Sequence, residues 1–277
     1  MESVLETNAL CKSYGNFKAL NNLTMRIPKG SIYGFVGKNG AGKTTLIRLI
    51  CGLQKPNSGE YLLYGKKYND PEIGKSRCRT GAVVENPSIY MDMTAMGNLK
   101  QQALLLGLPS FQELSDILAL VGLQDTGRKK VRAFSLGMRQ RLGIAIALVG
   151  NPDFLILDEP TNGLDPQGIV EIRELILKLN RERQVTILIS SHILDELSRL
   201  ATHYGFVDKG HLLKELTASE LDEACRKCMR ATVSNVTALV RVLDSMQVSY
   251  KILSETAADI YADIPVSRLA LALDKEN

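Results

Sequence analysis

The sequence predicts an α/β fold built on a mostly parallel sheet, and three observations predict it. An apolar stretch, Ile32 to Val36, reads as a buried strand and runs straight into a glycine-rich turn and a helix-forming segment. Two further runs, Phe154-Leu155-Ile156-Leu157 and Val185-Thr186-Ile187-Leu188-Ile189, are continuous rather than alternating, which argues burial on both faces of a parallel sheet. Between those runs Ile169, Ile172, Leu175, Ile176 and Leu179 recur at helical spacing with charges on the opposite face, the pattern of a crossover helix.

The remaining elements follow in chain order. Residues 3 to 33 carry short alternating segments with turn signals at Tyr14-Gly15-Asn16 and Pro28-Lys29-Gly30, so an antiparallel β piece is expected to pack on the core. From Pro87 to Asn151, Leu, Ala and Gln dominate, and this helical block separates two pieces of the core sheet as an inserted subdomain, about 87–151. The tail reads as a helical start over Ala218 to Arg230, a strand at Ala231-Thr232-Val233, a helix near Val236 to Gln247 and a strand near Tyr250. We therefore expect a main domain over 1–216 and a small α+β appendage over 217–277.

Gly37-Lys38-Asn39-Gly40-Ala41-Gly42-Lys43-Thr44-Thr45 fits G-x-x-x-x-G-K-[ST], with a strand before it and the predicted helix Lys43 to Cys51 after it. This makes the core a P-loop NTPase. Backbone N–H groups of Gly37, Asn39, Gly40, Ala41 and Gly42, with the helix N-terminus, are expected to surround the β-phosphate of a triphosphate. Lys43 supplies a mobile cation that bridges β- and γ-oxygens. The Thr44 hydroxyl is placed to ligate Mg²⁺, and Thr45 is next in line. Asp158 and Glu159 end the strand from Phe154, where an open parallel sheet presents its ligand edge. There Asp158 can hold Mg²⁺ and Glu159 can orient the attacking water, since two adjacent carboxylates seldom share one role.

Composition narrows the function classes. The 277 residues are 45% hydrophobic, enough to fill a sizeable core. Thirty-four basic against 30 acidic residues leave a net charge of +4, too slight and dispersed for a nucleic-acid footprint. The longest apolar run, Leu142 to Val149, is far short of a membrane span, and Met1-Glu2-Ser3 does not open a secretory signal. Five irregularly spaced cysteines agree with a reducing compartment, and Cys225-x-x-Cys228 has no second ligand pair to make a zinc site. A cytoplasmic protein is expected.

With these motifs in place, the chain resembles the nucleotide-binding subunit of an ATP-binding cassette transporter over residues 3 to about 215. The resemblance rests on the phosphate loop and on Phe134-Ser135-Leu136-Gly137-Met138-Arg139-Gln140-Arg141 at the family's signature position. Leu155-Ile156-Leu157-Asp158-Glu159-Pro160-Thr161, then Asn162-Gly163-Leu164-Asp165, and Ser191-His192 after the next strand complete it. It implies ATP as the nucleotide, with Tyr14 stacked on adenine, and a homodimer of subunits paired head to tail. Ser135 and Gly137 of one copy would donate to the γ-phosphate held by the other, Asp165 would lie at the dimer seam, and His192 would contact the γ-phosphate and position the water. A permease on separate chains would anchor the subunit at the cytoplasmic face of the membrane.

Two departures from the family pattern narrow the resemblance. Leu136 and Met138 replace the usual Gly and Gln of the signature, and Glu85 stands where a Gln senses Mg²⁺ and the membrane partner. With Asp92-Met93-Thr94 and Asn98-Leu99, these features resemble the subgroup that exports bacitracin-like and lantibiotic peptides. An importer or lipid-system cassette would share the same catalytic residues. A soluble, non-transport cassette protein usually carries two phosphate loops or a long coiled coil, which this sequence lacks.

Overall fold

The computed structural model describes residues 2–226, 228–262 and 264–276, and it divides into two compact units, Met1–Ala218 and Ser219–Asn277. In the first unit, β1 (Ser3–Tyr14) and β2 (Phe17–Pro28) form an antiparallel pair around the Gly15-Asn16 turn. The chain continues through β3 (Ile32–Val36), α1 (Lys43–Ile50), β4 (Ser58–Leu63) and β5 (Lys66–Lys67). Strands β4 and β5 join the N-terminal sheet in the order β2-β1-β4-β5. The antiparallel layer is thus wider than residues 3 to 33 announce. Strand β4 is only half buried and opens with the exposed Ser58-Gly59, so it carries a weak hydrophobic signal.

Next come α2 (Ile73–Cys78), β6 (Thr80–Val83), α3 (Ala95–Leu105), α4 (Leu114–Leu120), α5 (Leu136–Leu148), β7 (Phe154–Asp158) and α6 (Pro166–Arg183). The unit closes with β8 (Thr186–Ser191), α7 (Leu194–Ser198), β9 (His203–Asp208) and β10 (His211–Thr217). The central sheet has the order β10-β9-β3-β8-β7-β6; all neighbours are parallel except the edge strand β10. Strands β3, β7 and β8 are buried at every residue, as continuous apolar runs require. Helix α1 buries Leu46, Ile47, Leu49 and Ile50 in one cluster with Leu5, Leu20 and Leu23 of the antiparallel sheet and Phe35, Ile156 and Leu188 of the parallel one. That three-layer core fixes the start of α1, and with it the loop that precedes it.

Helix α5 approaches the core closely because small residues line the contact. A Cβ on Gly81 of β6 would lie 2.1 Å from the Ala147 carbonyl oxygen, and one on Gly143 would lie 2.6 Å from Pro87 Cβ.

In the second unit, α8 (Ala218–Ala224) precedes β11 (Met229–Thr232), α9 (Val236–Ser245), β12 (Tyr250–Ser254), β13 (Ala257–Ile260) and α10 (Val266–Glu276). The helical start expected to reach Arg230 ends at Ala224, because Met229 and Arg230 are taken into a strand. That strand pairs antiparallel with β13, and Arg230 forms a bidentate ion pair with Asp259 at 2.7 and 2.9 Å. Leu239, Val242, Leu243, Ala258, Ile260 and Leu269 make this unit's own apolar cluster.

Candidate active site

Three strand ends converge on one edge of the parallel sheet. The register sets Val36 beside Ser191 and Asp158 beside Ser190, so the segments after β3, β7 and β8 emerge together. The Gly37 N–H donates to the Ser191 carbonyl at 3.2 Å and the Gly210 N–H to that of Ala41 at 3.0 Å, tying both ends of the phosphate loop to the sheet. Gly42 adopts φ 107°, and a Cβ there would lie 2.4 Å from the Ala19 carbonyl oxygen. Only glycine lets the loop both turn left-handed and lie against β2.

Lys43 is buried, and its ammonium donates to the carbonyl oxygens of Gly37 and Lys38 while lying 3.1 Å from Glu159 Oε1. Glu159 Oε2 is 2.8 Å from His192 Nδ1. The three side chains expected to act on the γ-phosphate therefore form one continuous chain of contacts. Glu159 holds φ 49°, a left-handed conformation costly for a residue with a Cβ. Its N–H donates to Ser190 Oγ at 3.0 Å, and this bond pins the turn.

Thr44 Oγ1 donates to Asp158 Oδ2 at 2.8 Å, and Ser190 Oγ donates to Asp158 Oδ1 at 2.6 Å. Asp158 is 2% exposed, so its charge is compensated by hydroxyls rather than water. A hydroxyl and a carboxylate oxygen meeting beside a phosphate loop are hard donors, and they suit a small divalent cation such as Mg²⁺. Behind them Thr161 Oγ1 and Ser191 Oγ both donate to Glu196 Oε2, at 2.7 and 3.3 Å, joining the turn after Glu159 to the one before His192.

A cavity of about 200 Å³ opens over the loop, lined by Phe17, Ala19, Asn39, Gly40, Gly42, Lys43, Thr44, Thr45 and Glu159. Backbone donors at a helix N-terminus, one buried lysine and an acidic far wall fit the phosphates of a nucleotide. The ABC transporter family model matches residues 20–162, just over half of the chain. The chain belongs to the ABC transporter family.

As an ABC cassette it is the nucleotide-binding, ATP-hydrolysing subunit whose turnover is coupled to transport. It is 45% identical over 237 residues to the bacitracin transport ATP-binding protein BcrA of Bacillus licheniformis, covering 85% of this chain and 76% of that one. It is 43% identical over 219 residues to the lantibiotic transport ATP-binding protein SrtF of Streptococcus pyogenes, covering 78% and 93%. Among solved structures, CbiO1 of Clostridium perfringens, part of an ABC transporter complex, superposes with a TM-score of 0.73 at 27% identity, covering 89% of this chain and 97% of that one. A dimeric ATP-binding cassette in a post-hydrolysis state bound to ADP and Pi gives 0.70 at 25% identity, covering 77% and 98%. ABC cassettes dimerise and work with membrane permease subunits; among the described residues no helix is long and apolar enough to cross a membrane.

Other residues singled out in the sequence lie elsewhere in this cassette. Ser135 is the exposed N-cap of α5, its Oγ accepting from the Met138 N–H at 3.2 Å, and neither it nor Gly137 lines the loop cavity of the same chain. Tyr14 is 42% exposed and bonds through its hydroxyl to Gln54, while Phe17, across the same turn, reaches the cavity wall instead. Glu85, a candidate metal-site residue, has its Oε1 2.6 Å from Arg48 Nη2. Arg48 lies one helical turn beyond Thr44, so its cation meets the Glu85 carboxylate on the α1 face below the hydroxyl. Glu85 and Arg48 line a second cavity of about 550 Å³ with Arg77, Pro87, Gln102 and Gly143. There burial pushes the Cys51 thiol up to about 11. Two site residues carried little sequence signal: Phe17 reads as a strand residue after a turn, and Ser190 as the end of an apolar strand.

Proposed function

We propose that this cassette drives an exporter of bacitracin-like or lantibiotic-like peptides, working as a homodimer under a permease encoded on separate chains at the cytoplasmic face of the membrane. One observation carries the reading: 41–45% identity to two bacitracin transport ATP-binding proteins, one of which aligns with 94% of this chain and so reaches into the C-terminal unit. Residues 1–216 act as the ATPase and 217–277 as an accessory region.

In the catalytic step Lys43 leaves the Gly37 and Lys38 carbonyls to meet the β- and γ-phosphates, which also frees Glu159. Thr44 and Asp158 would hold Mg²⁺, which would supply positive charge to offset that of the phosphates. Glu159 then polarises a water for in-line attack on the γ-phosphorus, and the bond to the β–γ bridging oxygen breaks to give ADP and phosphate. His192 fixes the Glu159 carboxylate through Oε2. Ser135 and Gly137 complete the site from the second copy, which accounts for their distance from their own phosphate loop cavity. The groove lined by Arg48, Glu85, Pro87 and Gln102 lies between the core sheet and the helical insertion, and it passes closure to the permease.

The test is to purify the complex from native membranes, identify the permease, and express both in a peptide-sensitive host. The reading expects resistance to bacitracin or a lantibiotic that is lost with Glu159→Gln. Co-purification with a solute importer, or unchanged sensitivity, would overturn it.

A further inference from the structure

Helix α7 begins two residues after His192 and is only five residues long, so its place depends on what it packs against. Leu197 is buried, and a Cβ on Gly34 of β3 would lie 3.1 Å from Leu197 Cδ1 and 3.2 Å from Ala201 Cβ. The missing side chain of Gly34 lets the segment seat directly on the parallel sheet. From the neighbouring strand β9 the buried Tyr204 hydroxyl lies 3.2 Å from the carbonyl oxygens of both Leu197 and Ala201, which secures the far end.

Beside Leu197 on this anchored helix, Glu196 reaches two buried hydroxyls. Its Oε2 accepts from Thr161 Oγ1 at 2.7 Å, the length of a charge-assisted bond, and lies 3.3 Å from Ser191 Oγ. Thr161 follows Glu159 by two residues, and Ser191 immediately precedes His192. Ser191 Oγ also accepts from the Ile193 N–H at 3.0 Å, while the Ser191 carbonyl holds the Gly37 N–H that opens the phosphate loop. One carboxylate therefore joins the turn of Glu159, the turn of His192 and the root of the loop. Neither Glu196 nor Thr161 lines the cavity over that loop.

We propose that Glu196 is a positioning residue for ATP hydrolysis: through the Thr161 hydroxyl it keeps Glu159 in the left-handed turn that sets its carboxylate against His192. A residue at φ 49° stays there only if bonds hold it on both sides. Behind it, the Glu159 N–H donates to Ser190, with Oγ at 3.0 Å and the carbonyl oxygen at 3.2 Å. Ahead of it, the Glu159 carbonyl accepts from the Asn162 N–H at 3.1 Å, and the turn that carries Asn162 is tied down by Thr161. Among the described residues the Thr161 hydroxyl bonds to Glu196 and to nothing else, so this bond is the forward anchor.

The anchor matters most when Lys43 turns to the phosphates, because Glu159 then keeps His192 and its own backbone as its supports. The bond serves placement, so a neutral acceptor of the same reach can replace the carboxylate. The inference rests on Glu159 as the group that polarises water, as proposed above.

The experiment measures phosphate release by the full chain with ATP and Mg²⁺, beside equilibrium ATP binding. Glu196→Leu, which removes the acceptor, and Thr161→Val, which removes the donor at nearly constant shape, should each lower kcat about tenfold or more and leave ATP affinity within about twofold. The double variant should lose no more than Glu196→Leu alone, since the second change finds the bond already gone. Glu196→Gln and Thr161→Ser keep acceptor and donor, and should stay within about threefold of the wild-type kcat. In the Glu159→Gln background, adding Glu196→Leu should leave the residual single-turnover rate within about twofold, because Glu196 acts through Glu159. Should Glu196→Leu fail to fold, Thr161→Val carries the same comparisons. Equal losses in both backgrounds, additive losses in the double variant, or a loss of ATP affinity in place of kcat would overturn the proposal; so would a kcat restored by raising the protein concentration, which would move the bond's role to the dimer seam. Wild-type kcat in Glu196→Leu beside an inactive Glu159→Gln would sink the positioning role and leave Glu159 as the base, whereas wild-type turnover in Glu159→Gln would sink both readings.

Discussion

Glu159 is held at once by a left-handed backbone, by Lys43 through Oε1 and by His192 through Oε2. A residue kept in an unfavourable conformation by bonds on every side is placed for chemistry rather than for stability. Because the amide of Gln keeps the shape and loses the basic oxygen, Glu159→Gln should retain nucleotide binding while turnover falls by about 10²–10⁴. Phosphate release measured beside equilibrium ATP binding checks this, and wild-type turnover would remove Glu159 from the role of base. Glu85 leads to the opposite expectation. Its partner is Arg48, both side chains are at least a third exposed, and such pairs contribute about 0–1 kcal/mol to stability. Glu85→Gln should therefore leave folding intact and hold the Mg²⁺ midpoint of ATP hydrolysis within about twofold, because the carboxylate sits on a guanidinium and not on the metal oxygens. A Mg²⁺ titration moved tenfold would return Glu85 to the metal.

At the scale of elements, the parallel strands and the crossover helix were legible because burial on both faces leaves an apolar run that nothing interrupts. The phosphate loop was legible because its glycines answer to geometry, as Gly42 does against the Ala19 carbonyl. The failures share a cause: each depends on a partner distant in sequence. Strand β4 gains its ladder from β1, and Arg230 becomes a strand residue through Asp259. Arg230 supplies a prediction of its own. Its hydrogen bonds hold the Asp259 carboxyl below its ordinary value, helped by Lys251. A carboxyl depressed in the folded state adds stability above its unfolded pKa, near about 3.9, and loses it as pH falls through the folded value. Amide protection in β11 and β13, corrected for intrinsic exchange, should therefore fall on acidification below the ordinary carboxylate range. In Asp259→Asn that protection should already be weak at neutral pH and change less across the same window; equal pH profiles for the two chains would refute the linkage.

For the whole molecule, the decisive question is whether one chain makes a complete site. The structure places Lys43, Thr44, Asp158, Glu159 and His192 around one edge, and leaves Ser135 and Gly137 at the exposed start of α5, outside the loop cavity. If the site is completed by a second copy, lesions on its two halves fall on different copies. Lys43→Ala spoils the phosphate loop of its own chain, and Ser135→Arg spoils the signature face it presents to its partner; each variant alone damages both sites of a homodimer. A mixed dimer distributes the damage unevenly: one site receives both lesions and the other receives none. Mixing the two inactive variants should therefore restore hydrolysis, up to about a quarter of the wild-type rate for random pairing of a two-fold dimer with independent sites. If each chain built its own site, every site in the mixture would still carry a lesion, and no proportion of the two would recover activity. Phosphate release across mixing ratios, maximal at equal amounts under the shared arrangement and flat under the separate one, distinguishes the two without the permease or its substrate being known.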